Sequence, residues 1–92
     1  MTTIEATLAT DRVDATLRDI VAQIVRLEDR PERITPDANL FDLGLDSLSV
    51  VALLTSIEQR FDIEIDVEDI GGGLFESYEA LLSFVRSKLA LG

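Results

Sequence analysis

Ser47 stands between Asp46 and Leu48, three residues after Gly44, at the mouth of the apolar stretch "LFDLGLDSLSVVALL". A hydroxyl in that place has three uses. It can cap a helix, act as a nucleophile, or serve as a point of covalent attachment. A nucleophile needs a base within hydrogen-bond reach. The sequence has no histidine and no cysteine, and its only lysine is Lys88. A Ser-His-Asp arrangement is therefore impossible, and an ordinary carboxylate such as Asp46 is too weak a base to activate an alcohol well. Capping and attachment both stay open.

The second group of reactive side chains lies in "DIEIDVEDIGGG", which sets Asp62, Glu64 and Asp66 at alternate positions. A calcium loop of the EF-hand type would need glycine where Val67 stands and glutamate where Gly73 stands. Two required positions fail, so these acids read as a solvated edge and no metal site is expected. A hydrolase built on carboxylates alone would need a preorganised acid cluster that the sequence does not place.

The elements that must position these residues follow from periodicity. Val13, Leu17, Ile20, Val21, Ile24 and Leu27 recur at spacings of three and four, the mark of one helix face. Thr10 or Asp11 can cap its start, and Pro31 should stop it near Arg30. Residues 1–10 read as a loose arm or a frayed helical start, and residues 1–11 are set apart as a flexible arm. Residues 30–46 hold two prolines, Asn39 and Gly44, and read as a long ordered loop pinned by Ile34, Leu40, Phe41 and Leu43. A second helix should run from Asp46 or Ser47 to Phe61, with Val50, Leu53, Leu54, Ile57 and Phe61 facing inward. "FDIEIDV" alternates like a strand but lacks a partner, so it reads as an extended link. "VEDI" offers one helical turn before the glycines break it. Ser77 caps a last helix whose Tyr78, Leu81, Leu82, Val85 and Leu89 share a face. The expected fold is all-α, a small antiparallel bundle of three to four helices.

Ninety-two residues suit one domain with one core. The net charge of −10 is concentrated between Asp37 and Glu79, where eleven acids face one base, Arg60. Such a field repels nucleic acid and anionic membrane and steers basic protein surfaces. No run is long enough for a membrane span and no leader pattern opens the chain. Together with the missing cysteine, this points to a cytoplasmic protein.

The second helix also carries Leu48, Val51, Ala52 and Thr55 roughly opposite its core stripe. Either the preceding loop folds over them or they await a partner.

"DLGLDSLSVVALLTSIEQRFDIEI" resembles the attachment region of acyl carrier proteins and related thiolation domains. The family motif Gly-x-Asp-Ser-Leu is matched by Gly44-Leu45-Asp46-Ser47-Leu48, and "FDIEI" downstream matches too. The resemblance covers residues 12–90 in layout, with its specificity in residues 40–65. It implies a carrier domain that is no enzyme itself, whose Ser47 is esterified by the 4′-phosphopantetheine of coenzyme A. A phosphopantetheinyl transferase would do this with magnesium, which Asp46 helps to hold. The arm's thiol would then carry acyl or aminoacyl groups as thioesters, delivered by a loading enzyme and consumed by a downstream synthase, tailoring enzyme or transferase. Leu45, Leu48, Val51, Ala52 and Thr55, with Asp42 and Asp62 at the flanks, would meet these partners. Many family members have glutamate where Ala52 stands, and "LFDLGLDSL" is closer to carriers of polyketide and other specialised pathways. A freestanding monomer is expected. The alternative is an acidic helical adaptor that binds a basic or apolar peptide and carries no prosthetic group.

Overall fold

The computed structural model describes the backbone of residues 2–71 and 73–91, with side chains described from residue 12 onward except at positions 67 and 91. Three helices carry the fold: α1 (Thr2–Val25), α2 (Ser47–Phe61) and α3 (Tyr78–Leu91). Two 3-10 turns, Pro31–Arg33 and Val67–Asp69, punctuate the connections. No strand forms among the described residues. The alternating segment after α2 is an extended link, held by Glu58 Oε2, which accepts the Ile65 amide at 2.9 Å.

α1 packs against both other helices. Leu17, Ile20 and Val21 meet Leu53, Leu54 and Ile57 of α2 and Tyr78, Leu81, Leu82 and Val85 of α3 in one buried core. The inward stripes expected from spacing are thus largely the ones observed. Val50 and Phe61 at the two ends of the α2 stripe are only half-buried. Phe61 sits on the last turn, where less of the bundle remains to cover it.

The backbone is already helical at Thr2, the second of the two readings of the first residues. The expected end of α1 needs correction. The helix ends at Val25, ahead of Pro31, because Arg26 turns left-handed with φ of 61°. The Leu27 amide then returns to the Ala22 carbonyl at 2.7 Å, a helix-terminating bond that usually relies on glycine. Pro31 opens a 3-10 turn of its own, where its missing N–H costs nothing.

The long loop before α2 is ordered by burial of Ile34 and Leu40 and by its backbone. The Leu40 amide donates to the Phe75 carbonyl at 3.1 Å. The Pro36 and Ala38 carbonyls accept the Glu79 and Tyr78 amides at 2.8 and 2.9 Å, satisfying donors at the start of α3. Ser77 Oγ takes the Ala80 amide at 3.0 Å, the expected cap. The Tyr78 hydroxyl donates to Asp14 Oδ1 at 2.6 Å, and the Arg18 guanidinium lies 4.9 Å from its ring centre. Arg18 also reaches Asp14 and the Ile34 carbonyl, so α1, the loop and α3 meet at one polar knot. Burial, and then the bond to Asp14, push the Tyr78 hydroxyl well above its ordinary pKa.

Candidate functional site

Ser47 is the first residue of α2 and is exposed. Asp46 is the cap. Its backbone is extended, and its Oδ1 accepts the Ser49 amide at 2.8 Å. That bond, with further help from the Ser49 hydroxyl, holds the Asp46 carboxyl below the ordinary carboxylate range. The two residues therefore divide the work. Asp46 satisfies the helix end, which leaves the Ser47 hydroxyl free to face solvent.

The turn before them is built locally. Asn39 Oδ1 accepts the Phe41 amide at 2.9 Å and the Asp42 amide at 3.3 Å, which folds "NLFDLG" back on itself. Gly44 has φ of 119°, a geometry that L-residues rarely adopt. The chain reverses there, and the Leu45 amide returns to the Leu40 carbonyl at 3.1 Å.

This reversal corrects one expectation. The family resemblance puts Leu45 among the surface contacts, but only 4% of it is exposed. Gly44 turns the chain so that Leu45 enters the core and anchors the start of α2 from within. The other residues of the expected contact face do lie outside. Leu48 is 84% and Val51 64% exposed, and Ala52 and Thr55 are exposed beside them. The preceding loop does not cover them. Asp42 and Asp62 are exposed at the two ends of α2. Asp62 is the left-handed C-cap, its amide donating to the Glu58 carbonyl.

A groove of about 550 Å³ opens beside Ser47, within the range of small-molecule sites. Half-buried Val50 and buried Leu74 and Phe75 form its floor. Phe41, 52% exposed, and Ile70 stand at its rim, and Phe41 meets Phe75 edge to face at 5.9 Å. Gly71, Gly73 and Glu76 complete the lining, and Glu76 is its one charged residue among the described residues. Sequence reasoning missed this groove. It took Phe41 as a pin for the loop and the glycines as a breaker. The available signal was the apolar trio Ile70, Leu74 and Phe75 on both sides of the glycines.

The far side of the connecting loop is tied down. Lys88 Nζ lies 2.8 Å from Asp69 Oδ2, which also accepts the Asp66 amide. The hydrogen bond between them, with their charge attraction as a smaller part, lowers the Asp69 pKa and raises that of Lys88. No cluster of potential metal ligands occurs among the described residues. None of the described helices is long and apolar enough to cross a membrane.

The chain is 48% identical over 52 residues to an acyl carrier protein of Syntrophobacter fumaroxidans, an alignment covering 55% of this chain and 62% of that one. It is 43% identical over 58 residues to an acyl carrier protein of Desulforapulum autotrophicum, covering 62% and 74%. An aminoacyl carrier protein of Agrobacterium fabrum is 32% identical over 74 residues, covering 80% and 89%. No solved structure matches significantly.

A phosphopantetheine group needs an exposed hydroxyl, a seat for its phosphodiester and room for its arm. Ser47 supplies the first. The unpaired amides and positive dipole end of α2 supply the second. The groove that Ser47 shares supplies the third. The residues fit the group, and a family model described as a phosphopantetheine attachment site matches residues 15–85, the whole of this arrangement, so the chain belongs to the phosphopantetheine-attachment family.

Proposed function

We propose that this chain is a non-catalytic carrier whose Ser47 is esterified by 4′-phosphopantetheine and which shuttles acyl or aminoacyl intermediates between enzymes of a biosynthetic pathway. The group supplies a terminal thiol that holds cargo as a thioester, so the chain needs no cysteine of its own. The observation that carries the reading is the exposed Ser47 at the start of α2, freed from capping by Asp46 and opening onto an apolar groove.

In the attachment step Ser47 Oγ bonds to the pantetheine-side phosphorus of coenzyme A. The pyrophosphate P–O bond breaks, adenosine 3′,5′-bisphosphate leaves, and the serine proton passes to a base of the transferase. Asp46 keeps the helix end fixed and, in the complex, would help to hold the transferase's magnesium. Gly44 permits the turn that exposes Ser47. Leu48, Val51, Ala52 and Thr55 form the docking face for the transferase, the loading enzyme and the downstream enzyme, while Asp42 and Asp62 steer the approach.

The relatives' names support both cargo types, acyl in two and aminoacyl in another. The stretch "LFDLGLDSL" and the uncharged Ala52 support polyketide or other specialised metabolism over fatty-acid synthesis. We further propose that residues 12–90 form the carrier domain, with residues 1–11 an arm outside it, and that the protein works as a cytoplasmic monomer.

Intact-protein mass tests the reading. Incubation with coenzyme A, magnesium and a broad transferase should add one phosphopantetheine, and Ser47→Ala should take up none. A wild-type mass unchanged by several competent transferases would leave the exposed Leu48–Val51 face to the adaptor reading instead.

A further inference from the structure

We infer that Asp69 guards Lys88, the one side-chain amine of this sequence, against acylation, and so keeps the carrier from trapping acyl groups on itself. The inference rests on the carrier reading, because that reading surrounds the chain with thioesters, its own and those of the enzymes it serves. A thioester acylates an amine only when the amine is neutral. The lysine nitrogen attacks the carbonyl carbon, and the C–N bond forms as the C–S bond breaks. The proton lost by the nitrogen ends on the departing thiolate. The product is an amide, which does not give its acyl group back.

The composition leaves one side chain open to this reaction. Of the eight basic residues, seven are arginine, whose guanidinium stays protonated. Lys88 is the exception, and its surroundings favour the unreactive ammonium form. Asp69 Oδ2 lies 2.8 Å from Nζ, and only 21% of the lysine side chain is exposed. The Phe84 ring, one turn back along α3, has its centre 5.7 Å from Nζ and attracts a cation. Lys88 also belongs to the last turn of α3, the negative end of the helix dipole. The charges of Asp66 and Glu64 add to the effect of Asp69. Losing this protection would reach beyond one amine. An acylated Lys88 has no charge to offer Asp69, whose neighbour Ile70 stands at the rim of the groove that Ser47 shares.

The test incubates the full chain with acetyl-coenzyme A at mildly alkaline pH, without transferase. Nα-acetyl-lysine in the same tube serves as the reference amine, and peptide mass mapping follows both. Wild-type Lys88 should be acetylated several-fold more slowly than the reference. Asp69→Asn keeps an acceptor for the Asp66 amide but removes the charge, and should speed Lys88 acetylation about two- to fivefold. Melting curves confirm that the variant folds. If it does not, wild type at low and high salt decides, since screening of the pair should raise the rate of Lys88 relative to the reference. Wild-type Lys88 reacting as fast as the reference would overturn the inference. So would a folded Asp69→Asn that reacts at the wild-type rate or, where that variant does not fold, a wild-type rate indifferent to salt. A parallel tube with transferase and magnesium keeps the two readings apart, because failure to take up phosphopantetheine there defeats the carrier reading and leaves the measured protection of Lys88 standing.

Discussion

Asp46 has one role that can be measured without any partner. Its carboxylate is held below the ordinary range chiefly by the Ser49 amide. A depressed acid pKa contributes stability that is complete above the unfolded value of about 3.9 and is lost as pH falls through the folded value. Asp46→Asn should therefore keep the cap, since asparagine accepts the same bond, and leave the neutral-pH melting point almost unchanged. Its acid limb should be shallower than that of wild type. Asp46→Ala should lower the melting point at neutral pH by a few degrees, because the amide then loses its acceptor. Melting curves from pH 2 to 7 separate the two. With the transferase, Asp46→Asn should be loaded more slowly than wild type at limiting magnesium while folding normally. The sequence made this pair legible, since "DS" before an apolar run admits a cap and a free hydroxyl. It did not show which residue does which. That depends on the extended backbone of Asp46, which aims its carboxylate back at the helix.

α2 is a helix with two occupied faces. Inward, Leu53 is 1% exposed, and Leu53→Ala should cost about 2–5 kcal/mol. Outward, Val51→Ala removes a mostly solvated side chain and should leave stability within about 0.5 kcal/mol of wild type. The same substitution should weaken transferase binding mainly through faster dissociation. Chemical denaturation and surface-binding kinetics on the two variants check the division. If Val51→Ala binds the transferase like wild type, the outer face is not the docking surface. The two faces of α2 were readable because helical spacing reports directly which residues turn together. The end of α1 was not, because Arg26 takes a left-handed conformation that composition assigns to glycine or asparagine. The inward turn of Leu45 was hidden for a related reason. It precedes the helix, where helical spacing no longer applies, and Gly44 sets its direction.

At the scale of the whole molecule, the middle segment carries most of the negative charge. Asp42→Asn with Asp62→Asn removes a charge at each end of the proposed docking face. Association with the transferase should slow most at low salt, and the difference should shrink as ionic strength rises. Stopped-flow rates at two salt concentrations measure this, and equal rates at low salt would reduce the acidic middle to a solubility device. The field was legible from simple counting, whereas the groove was not. Its walls come from two segments distant in sequence, Phe41–Val50 and Ile70–Glu76, which the Leu40–Phe75 hydrogen bond and the Phe41–Phe75 ring contact help to bring together. The tyrosine knot has an optical consequence. Tyr78 is the only tyrosine, and the chain has no tryptophan. Its hydroxyl is bonded to a carboxylate, an acceptor that dims phenol emission, and the ring sits where α1 and α3 meet. Unfolding should therefore brighten the protein's own fluorescence, so that separation of these two helices can be watched without a dye. The groove and the outer face of α2 stay dark at the same wavelengths, and light from Tyr78 will report on the frame of this molecule and not on its cargo.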